Sequence, residues 1–328
     1  MIFLLEKIRK IFKSIGKKEE TINDLITYKK FKKNLKRYNI NFQKFNPELN
    51  VKKSIKMVAV ISFFFDRKKI KNLNKICFNL NKISKSTKIY IITNNISSKD
   101  FQKIKKIIKI KTNIIIIKQP LHNRLLPWYH YEIMRKAFKQ KNITHFMYLE
   151  DDMLLDKKNF NYWINSRKYL KKINLIPGFL RTEKYKGNKD PYAVDFTKKN
   201  KLNSIPNIKV NENLIFINTK YPYQGMYLYD RELMKEHLNG PSSNPDCGHG
   251  AFNSNLLDKR MINLDLIAKS NIGLTYMNVP QGFFSRIVIP YNLNKNQIDS
   301  ICQINHLSNK YIKKKSWFGN IKVKDAII

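Results

Sequence analysis

The chain has few of the residues that build fibres, disulfide-bonded domains or flexible linkers. Its 328 residues include only 10 Gly, 11 Pro and 3 Cys, which excludes a fibrous or linker-rich protein. The cysteines are far apart and form no CxxC pair, so we expect neither a disulfide framework nor a thiolate zinc site, but a reducing compartment. No run of residues approaches the roughly 18 apolar residues that a membrane span requires. The expected location is therefore the cytoplasm, either in solution or peripherally on the cytoplasmic face of a membrane.

Acidic residues are also scarce. The chain has 24 Asp and Glu against 64 Lys and Arg, for a formal net charge of +40. Lys, Asn and Ile are all frequent and all have A/T-rich codons, so codon bias is one interpretation of the charge. The other is a surface that attracts phosphate, whether on nucleic acid, anionic lipid or a nucleotide-linked substrate. Hydrophobic residues make up 42% of the chain, which is enough to form a core and excludes disorder for most of it.

Both ends of the chain combine basic charge with apolar residues. Within residues 1–18, apolar residues recur at helical spacing with lysines on the other faces. This pattern is typical of an amphipathic helix at a lipid surface, or of a helix docked on its own domain. The early charges also argue against a secretory signal. Because residues 306–328 carry six Lys and one Asp, an anionic membrane surface is a candidate partner for both ends.

The middle of the chain alternates between strand and helix patterns, with short connections. Four buried-strand patterns alternate with helix patterns. The predicted strands are 57–65, 88–93, 113–117 and 145–149, and the helices between them are about 70–83, 101–108 and 128–138. We expect an α/β fold with a mixed, mostly parallel sheet flanked by helices, and ligands bound beyond the carboxyl ends of the strands. No GxGxxG or GxxxxGK[ST] motif is present, which disfavours dinucleotide-binding and P-loop proteins.

Domain organisation follows from these changes of pattern along the chain. We expect a basic, helical N-terminal segment at residues 1–54, an α/β domain at 55–311 and a basic tail at 312–328.

Three adjacent carboxylates follow the fourth predicted strand, at Glu150, Asp151 and Asp152. Mutual repulsion makes such a cluster costly unless a cation or hydrogen-bond donors compensate. A hard divalent ion would bridge these oxygens to a diphosphate. A solvated turn or a helix N-terminus, where acids are also favoured, is the alternative.

Several further segments surround this cluster in a definite order. They are Arg124–Trp128, Tyr148–Asp152, Asn159–Trp163, Pro177–Glu183, Tyr223–Tyr227, Asn278–Arg286 and His306–Tyr311. In these segments, residues 57–311 resemble a glycosyltransferase of the GT-A fold, with Glu150-Asp151-Asp152 as a variant of the metal-binding DxD motif. The resemblance implies a nucleotide-sugar donor, a divalent metal and a glycan or lipid-linked acceptor.

The resemblance also implies roles for individual residues. Asp152 and His306 would be metal ligands, and Mn²⁺ would suit this pair somewhat better than Mg²⁺ because imidazole is a softer donor. Glu150 would face the base or ribose of the nucleotide, and Asp151 would help to hold the metal and its waters. Arg181 and Arg286 are candidates for contacts with phosphate or acceptor groups.

The catalytic base is open at this stage. An inverting transferase, which is the expected type, needs a carboxylate or a histidine to take the proton of the acceptor hydroxyl. We rank Asp246 first and His249 second, and we interpret Glu183 as an acceptor-binding residue before a base. Related enzymes often carry an acid in the loop and helix before the Pro-x-Gly-Phe segment, where this chain has Gly248–Asn253. This departure leaves the stereochemical outcome open.

The sequence thus predicts a metal-dependent glycosyltransferase, with a role in surface polysaccharide synthesis implied by the resemblance. One alternative is a non-catalytic binder of polyanions such as nucleic acid. No helix-turn-helix, RNP motif or zinc finger supports it, so nucleic acid is not an expected partner. A degenerate transferase that binds nucleotide-sugar without turnover is the third hypothesis.

Overall fold

The computed structural model describes residues 22–51, 55–84, 86–118, 123–185, 187, 190–243, 264–313 and 318–328. The predicted amphipathic helix at residues 1–18 and the predicted bases Asp246 and His249 lie outside these ranges. The helices are α1 (22–34), α2 (Ile70–Ile83), α3 (Ser98–Ile107), α4 (His130–Lys139), α5 (Lys157–Leu170), α6 (Arg231–Asn239), α7 (Leu266–Asn271) and α8 (Lys310–Lys313). None of the helices in the described ranges is both long enough and apolar enough to cross a bilayer.

The strands are β1 (Met57–Phe63), β2 (Thr87–Asn94), β3 (Thr112–Ile117), β4 (His145–Glu150), β5 (Met153–Leu154), β6 (Ile176–Pro177), β7 (Leu180–Glu183), β8 (Tyr192–Ala193), β9 (Asn207–Lys209), β10 (Leu214–Asn218), β11 (Met226–Asp230), β12 (Ile287–Asn292), β13 (Gln297–Ile298), β14 (Gln303–His306) and β15 (Ile321–Lys322). Short 3₁₀ helices connect several of them, including Leu35–Tyr38 after α1, Arg67–Lys69 before α2 and Asn123–Tyr129 before α4.

The central sheet has the strand order β11-β4-β1-β2-β3. Strands β1 to β4 run parallel, and β11 is antiparallel to β4 at one edge. Every residue of β1 is buried, as expected for a strand covered on both faces. Helix α2 packs on α3, and α4 packs on α6. The predicted α/β fold with a mixed, mostly parallel sheet flanked by helices is therefore confirmed, and the four predicted strands differ from the observed ones by two residues or fewer at each end.

Two smaller sheets extend this core. One has the order β13-β12-β10-β9, with β6 parallel to β12. The other has the order β15-β8-β7-β14-β5 and joins segments that are far apart in sequence. Within it, β14 pairs in parallel with β7 and antiparallel with β5. Since β5 directly follows the acidic cluster, this sheet brings the end of the domain back to the end of β4.

The N-terminal segment packs on the α/β core through aromatic side chains. Phe31 of α1 is buried and contacts Phe283 edge to face, with ring centroids 5.5 Å apart. The expectation that the segment stays helical to residue 54 is wrong after residue 38. Residues 39–51 form no regular helix, because Phe42 and Phe45 pack instead on Tyr169 and Phe216.

The C-terminal residues also contact the domain. Strand β15 pairs with β8, and Val323, Ala326 and Ile327 are buried in the main hydrophobic cluster. Burial of apolar side chains at this position stabilises the segment against the small sheet that carries β7 and β14.

Candidate active site

The acidic cluster lies at the carboxyl end of β4, the edge of a parallel sheet at which ligands bind. Glu150 is the last residue of the strand, and Asp151 and Asp152 form the turn into β5. The backbone N–H of Leu307 donates to the carbonyl of Asp152 at 2.8 Å, and His306 pairs with Met153 in the β14–β5 register. Pairing of Asn305 with Thr182 places the next residue of β7, Glu183, beside His306 as well. Backbone register alone therefore brings three predicted site residues together.

His306 lies between two carboxylates. Its Nε2 is 3.1 Å from Oδ2 of Asp152, and its Nδ1 is hydrogen-bonded to Oε1 of Glu183. The other oxygen of Glu183 accepts the backbone N–H groups of Tyr311 at 3.1 Å and Ile312 at 2.9 Å. Glu183 is only 1% exposed, so its carboxylate is fully engaged in holding His306 and the start of α8. This geometry favours a positioning role for Glu183 over the predicted contact with an acceptor.

The donors at this point fit a divalent metal ion. Oδ1 of Asp152 is buried and accepts no hydrogen bond from the described residues, although carboxylate oxygens are normally satisfied. Two ligand atoms at about 2.1 Å from an octahedral ion lie about 3 Å apart, close to the separation of His306 Nε2 and Asp152 Oδ2. Without a metal, Nε2 donates to Asp152; burial acts to lower the pKa of His306, but the hydrogen bonds to Asp152 and Glu183 outweigh it and raise that pKa. With a metal bound, a neutral His306 that donates from Nδ1 to Glu183 would direct its Nε2 lone pair at the ion, as metal-binding histidines do.

The described residues contain no group of three or more His, Cys, Asp and Glu side chains arranged to hold a metal. Besides any side chain outside these ranges, substrate oxygens and water would complete the coordination of a metal held here, as they commonly do for Mg²⁺.

Opposed effects set the protonation of the cluster. Burial acts to raise the pKa of Asp152, but the hydrogen bond and charge of His306 and the charge of Lys310 outweigh it, so the pKa lies below its usual range. Burial raises the pKa of Asp151 to about 7, although the Lys69 ammonium opposes the shift. Lys69 Nζ is 3.2 Å from Asp151 Oδ2. Among Glu150, Asp151 and Asp152, the charged form is therefore most favoured at Asp152, the predicted metal ligand.

Glu150 is held by neutral donors. Its Oε1 accepts from the Tyr223 hydroxyl at 2.6 Å and from the Asn271 amide at 2.8 Å. Burial and the charge of Asp152 raise the pKa of Glu150. These contacts fix the carboxyl group in one orientation, which is what recognition of a ribose hydroxyl or a base N–H would need.

Arg181 lies close to Tyr223, the partner of Glu150, but the carboxylate of Asp195 balances the positive charge of Arg181. Its guanidinium makes a bidentate ion pair with buried Asp195. It also stacks over the Tyr223 ring, with Cζ 4.6 Å from the ring centroid. In this position Arg181 supports the Tyr223–Glu150 contact, while a direct contact with phosphate stays a prediction.

Arg286 has contacts of a different kind. Its guanidinium bonds Glu236 at 2.7 Å and the Asn174 carbonyl at 3.0 Å, and only 1% of the residue is exposed. Its contacts in the described ranges tie the start of β12 to α6 and do not include the acidic cluster. None of these contacts therefore supports the predicted role of Arg286 in binding phosphate.

The sequence did not single out several residues that shape the site. Lys69 and Asn271 lie 82 and 121 positions from the carboxylates that they contact, and Asp195 lies 14 positions from Arg181. Lys69 alone had a detectable signal, because it follows the first predicted strand and thus lies at the same sheet edge as Asp151. Asp195 and Asn271 follow no strand of the central sheet.

A groove of about 330 Å³ lies between β2, β3 and α4. Its lining is mainly apolar and includes Tyr90, Ile92, Ile115, Ile117 and Ile133, with no member of the acidic cluster. The groove is therefore separate from the candidate metal ligands.

No protein-family model and no curated protein matches the chain. Similar solved structures include a mannosyltransferase from Pyrobaculum calidifontis in complex with GDP-Man and Mn²⁺, with 8% identity over 65% of this chain and 53% of that chain and a TM-score of 0.36. TarS of S. aureus matches with 12% identity over 56% of this chain and 30% of that chain, at a TM-score of 0.31. A cytidylyltransferase from Leptospira borgpetersenii matches with 10% identity over 56% of this chain and 63% of that chain, at a TM-score of 0.30. The match thus spans less than two-thirds of each of these structures. At these identities and TM-scores, the likenesses establish neither a family nor an activity.

Proposed function

We propose that the protein is a metal-dependent glycosyltransferase, which moves a sugar from a nucleotide-sugar to a hydroxyl of a glycan or lipid-linked acceptor. The observation that supports this function most directly is the buried Asp152–His306–Glu183 arrangement at the carboxyl end of a parallel sheet. Mn²⁺ or Mg²⁺ is the proposed metal, and the cytoplasmic assembly of surface polysaccharide is the proposed setting.

Different residues would bind different parts of the donor and its metal. Asp152 and His306 would hold the ion, and Glu183 would keep the imidazole oriented. The bound ion would neutralise the diphosphate as it leaves, which lowers the barrier electrostatically. Glu150, fixed by Tyr223 and Asn271, would accept a hydrogen bond from the nucleoside. The Lys310 ammonium interacts electrostatically with Asp152 and Glu150, and it would contribute positive charge that stabilises the diphosphate of the donor.

The acceptor hydroxyl requires a base that takes its proton as the new bond forms. Glu183 is poorly suited to this role because its carboxylate already binds His306 and two backbone N–H groups. Asp246 and His249 remain the proposed bases, in that order, and inversion remains the proposed outcome.

Release of nucleoside diphosphate from a panel of nucleotide-sugars in the presence of Mn²⁺ tests the function. We expect hydrolysis of one donor, loss of that activity in EDTA, and a decrease of at least about 100-fold in Asp152→Asn, because a ligand is worth more than the 10- to 100-fold of an outer-shell partner. Glu212→Gln is the matched control, since it removes one carboxylate from an exposed pair with Lys209.

Full activity of Asp152→Asn, or of wild type in EDTA, would rule out the metal-dependent mechanism. Diphosphate binding without turnover of any donor would instead identify a degenerate transferase. Nucleic-acid binding at physiological salt with no nucleotide affinity would favour the polyanion binder.

A further inference from the structure

Helix α1 has one face packed on the core and one face exposed. Phe31 is at the centre of the packed face and Tyr28 lies on the same side, stacked on Phe31. At about 100° per residue, the opposite side of the helix and of the turn after it carries six residues, all exposed. These residues, here called the docking face, are Ile22, Leu25, Ile26, Lys29, Lys33 and Lys36.

The composition of the docking face is unusual for a surface that meets only water. Ile22, Leu25 and Ile26 are 56%, 54% and 45% exposed, and together they form an aliphatic patch at the first turns of the helix. The three lysines continue the same side of the helix, and no acidic residue interrupts it. The nearest acid, Asp24, points elsewhere and pairs with Lys220 at 2.7 Å.

This combination fits an anionic lipid surface better than other partners. Aliphatic side chains gain free energy by entering the boundary between headgroups and acyl chains, while lysines beside them bind anionic headgroups. Nucleic acid would use the lysines but would leave the aliphatic patch in water. A second copy meeting the same face about a two-fold axis would bring two sets of lysines together, which is electrostatically unfavourable.

Helix α1 is also linked to the candidate active site through a residue outside the docking face. The Asp24–Lys220 ion pair ties the first turn of α1 to the loop at residues 219–225. That loop carries Tyr223, whose hydroxyl donates to Glu150. Two contacts therefore connect Asp24, on the packed side of α1, with Glu150 of the acidic cluster.

We propose that the docking face binds the headgroup layer of an anionic phospholipid bilayer and so holds the protein at the surface in which a lipid-linked acceptor would lie. The lipid-linked class of acceptor rests on the proposed function, whereas binding of the bilayer does not.

Co-sedimentation of the full chain with phosphatidylcholine vesicles, with and without phosphatidylglycerol, tests the proposal. We expect binding that requires phosphatidylglycerol and falls about tenfold or more in Leu25→Glu/Ile26→Glu, because two aliphatic side chains no longer enter the boundary layer. Lys29→Glu/Lys33→Glu should weaken binding about tenfold or more and reduce its dependence on anionic lipid.

Two control variants make the same chemical changes elsewhere. Phe78→Glu removes a side chain that is 47% exposed on α2, and Lys103→Glu/Lys106→Glu reverses two exposed lysines on α3. Both controls should bind vesicles as wild type does. Because every substituted residue is exposed, thermal melts of all four variants should match wild type.

Four results would overturn the proposal. They are no binding by wild type, equal losses in the control variants, unchanged binding in Leu25→Glu/Ile26→Glu, and a wild-type dimer that Leu25→Glu/Ile26→Glu dissociates. Unchanged binding would assign the lipid contact to another part of the chain, and a dimer would make the face an interface between copies. Donor hydrolysis measured in solution without vesicles separates this proposal from the catalytic one, since either can fail alone.

Discussion

Glu183 orients His306, and a test of this dependence can distinguish a metal ligand from a buried ion-pair histidine. Glu183 accepts from Nδ1 of the imidazole and from the backbone N–H groups of Tyr311 and Ile312. A carboxylate that only satisfied buried donors would affect stability, whereas one that orients a ligand also affects metal affinity.

Glu183→Gln separates these two roles. The Gln side chain has a single acceptor oxygen, so it cannot serve both His306 and the two backbone N–H groups. We expect the affinity for Mn²⁺, measured by titration of donor hydrolysis and by direct metal binding, to fall about 10- to 100-fold. Activity should recover at high Mn²⁺ concentration.

A purely structural Glu183 would give a different result. The variant would then melt at a lower temperature, its apparent affinity for Mn²⁺ would equal that of wild type, and added metal would not restore activity.

At the scale of helices and strands, short-range sequence patterns predicted where the central strands lie. No sequence pattern predicted which distant strands pair with one another. Strands β1 to β4 are largely apolar, so their positions follow from the sequence pattern, and their parallel direction follows from the helices between them. The small sheet that pairs β14 with β7 and β5 has no comparable local signal, because its strands are two to four residues long. The resemblance predicts a role for His306 and a role for Glu183, but it does not predict their contact across 123 positions, which depends on that pairing. The sequence pattern also did not predict that residues 39–51 are not helical. The aromatic contacts that hold these residues are made with side chains far away in the sequence.

The docking of α1 depends on one glycine in the loop before β12. Gly282 has a φ of +94°, and a Cβ there would lie 2.6 Å from the backbone N and Cα of Phe31. The absence of a side chain is what allows the helix backbone to approach this closely.

Gly282→Ala should therefore lower the free energy of unfolding by about 2–4 kcal/mol, through backbone strain and displacement of α1. Urea unfolding measures the loss, and hydrogen exchange should increase in α1 first. Gly187→Ala is the control, because Gly187 also has a positive φ, of +85°, but no described atom lies within 4 Å of its Cβ position.

The control should lose only about 1 kcal/mol, the cost of the backbone conformation alone. Equal losses in the two variants would mean that the close approach of Phe31 to Gly282 contributes nothing to stability.

For the whole molecule, the +40 net charge is a cost to folding and not a source of stability. Exposed ion pairs such as Lys136–Glu132 and Lys209–Glu212 contribute little individually. Most lysines have no acid to pair with, since Lys and Arg outnumber Asp and Glu by 64 to 24. Repulsion among them favours the expanded chain, in which the charges lie farther apart.

Added salt should therefore stabilise the protein. As NaCl is raised from low concentration, we expect the melting temperature to rise and then to level off near 0.15 M, at which the Debye length is about 8 Å. Screening depends on ionic strength, so NaCl and KCl should act alike. A melting temperature that falls with salt would mean that favourable ion pairs outweigh the repulsion. A rise produced by phosphate but not by chloride at equal ionic strength would mean that the positive charge forms a specific anion site instead of a diffuse excess over the surface, because mass action stabilises only the state that binds the ion.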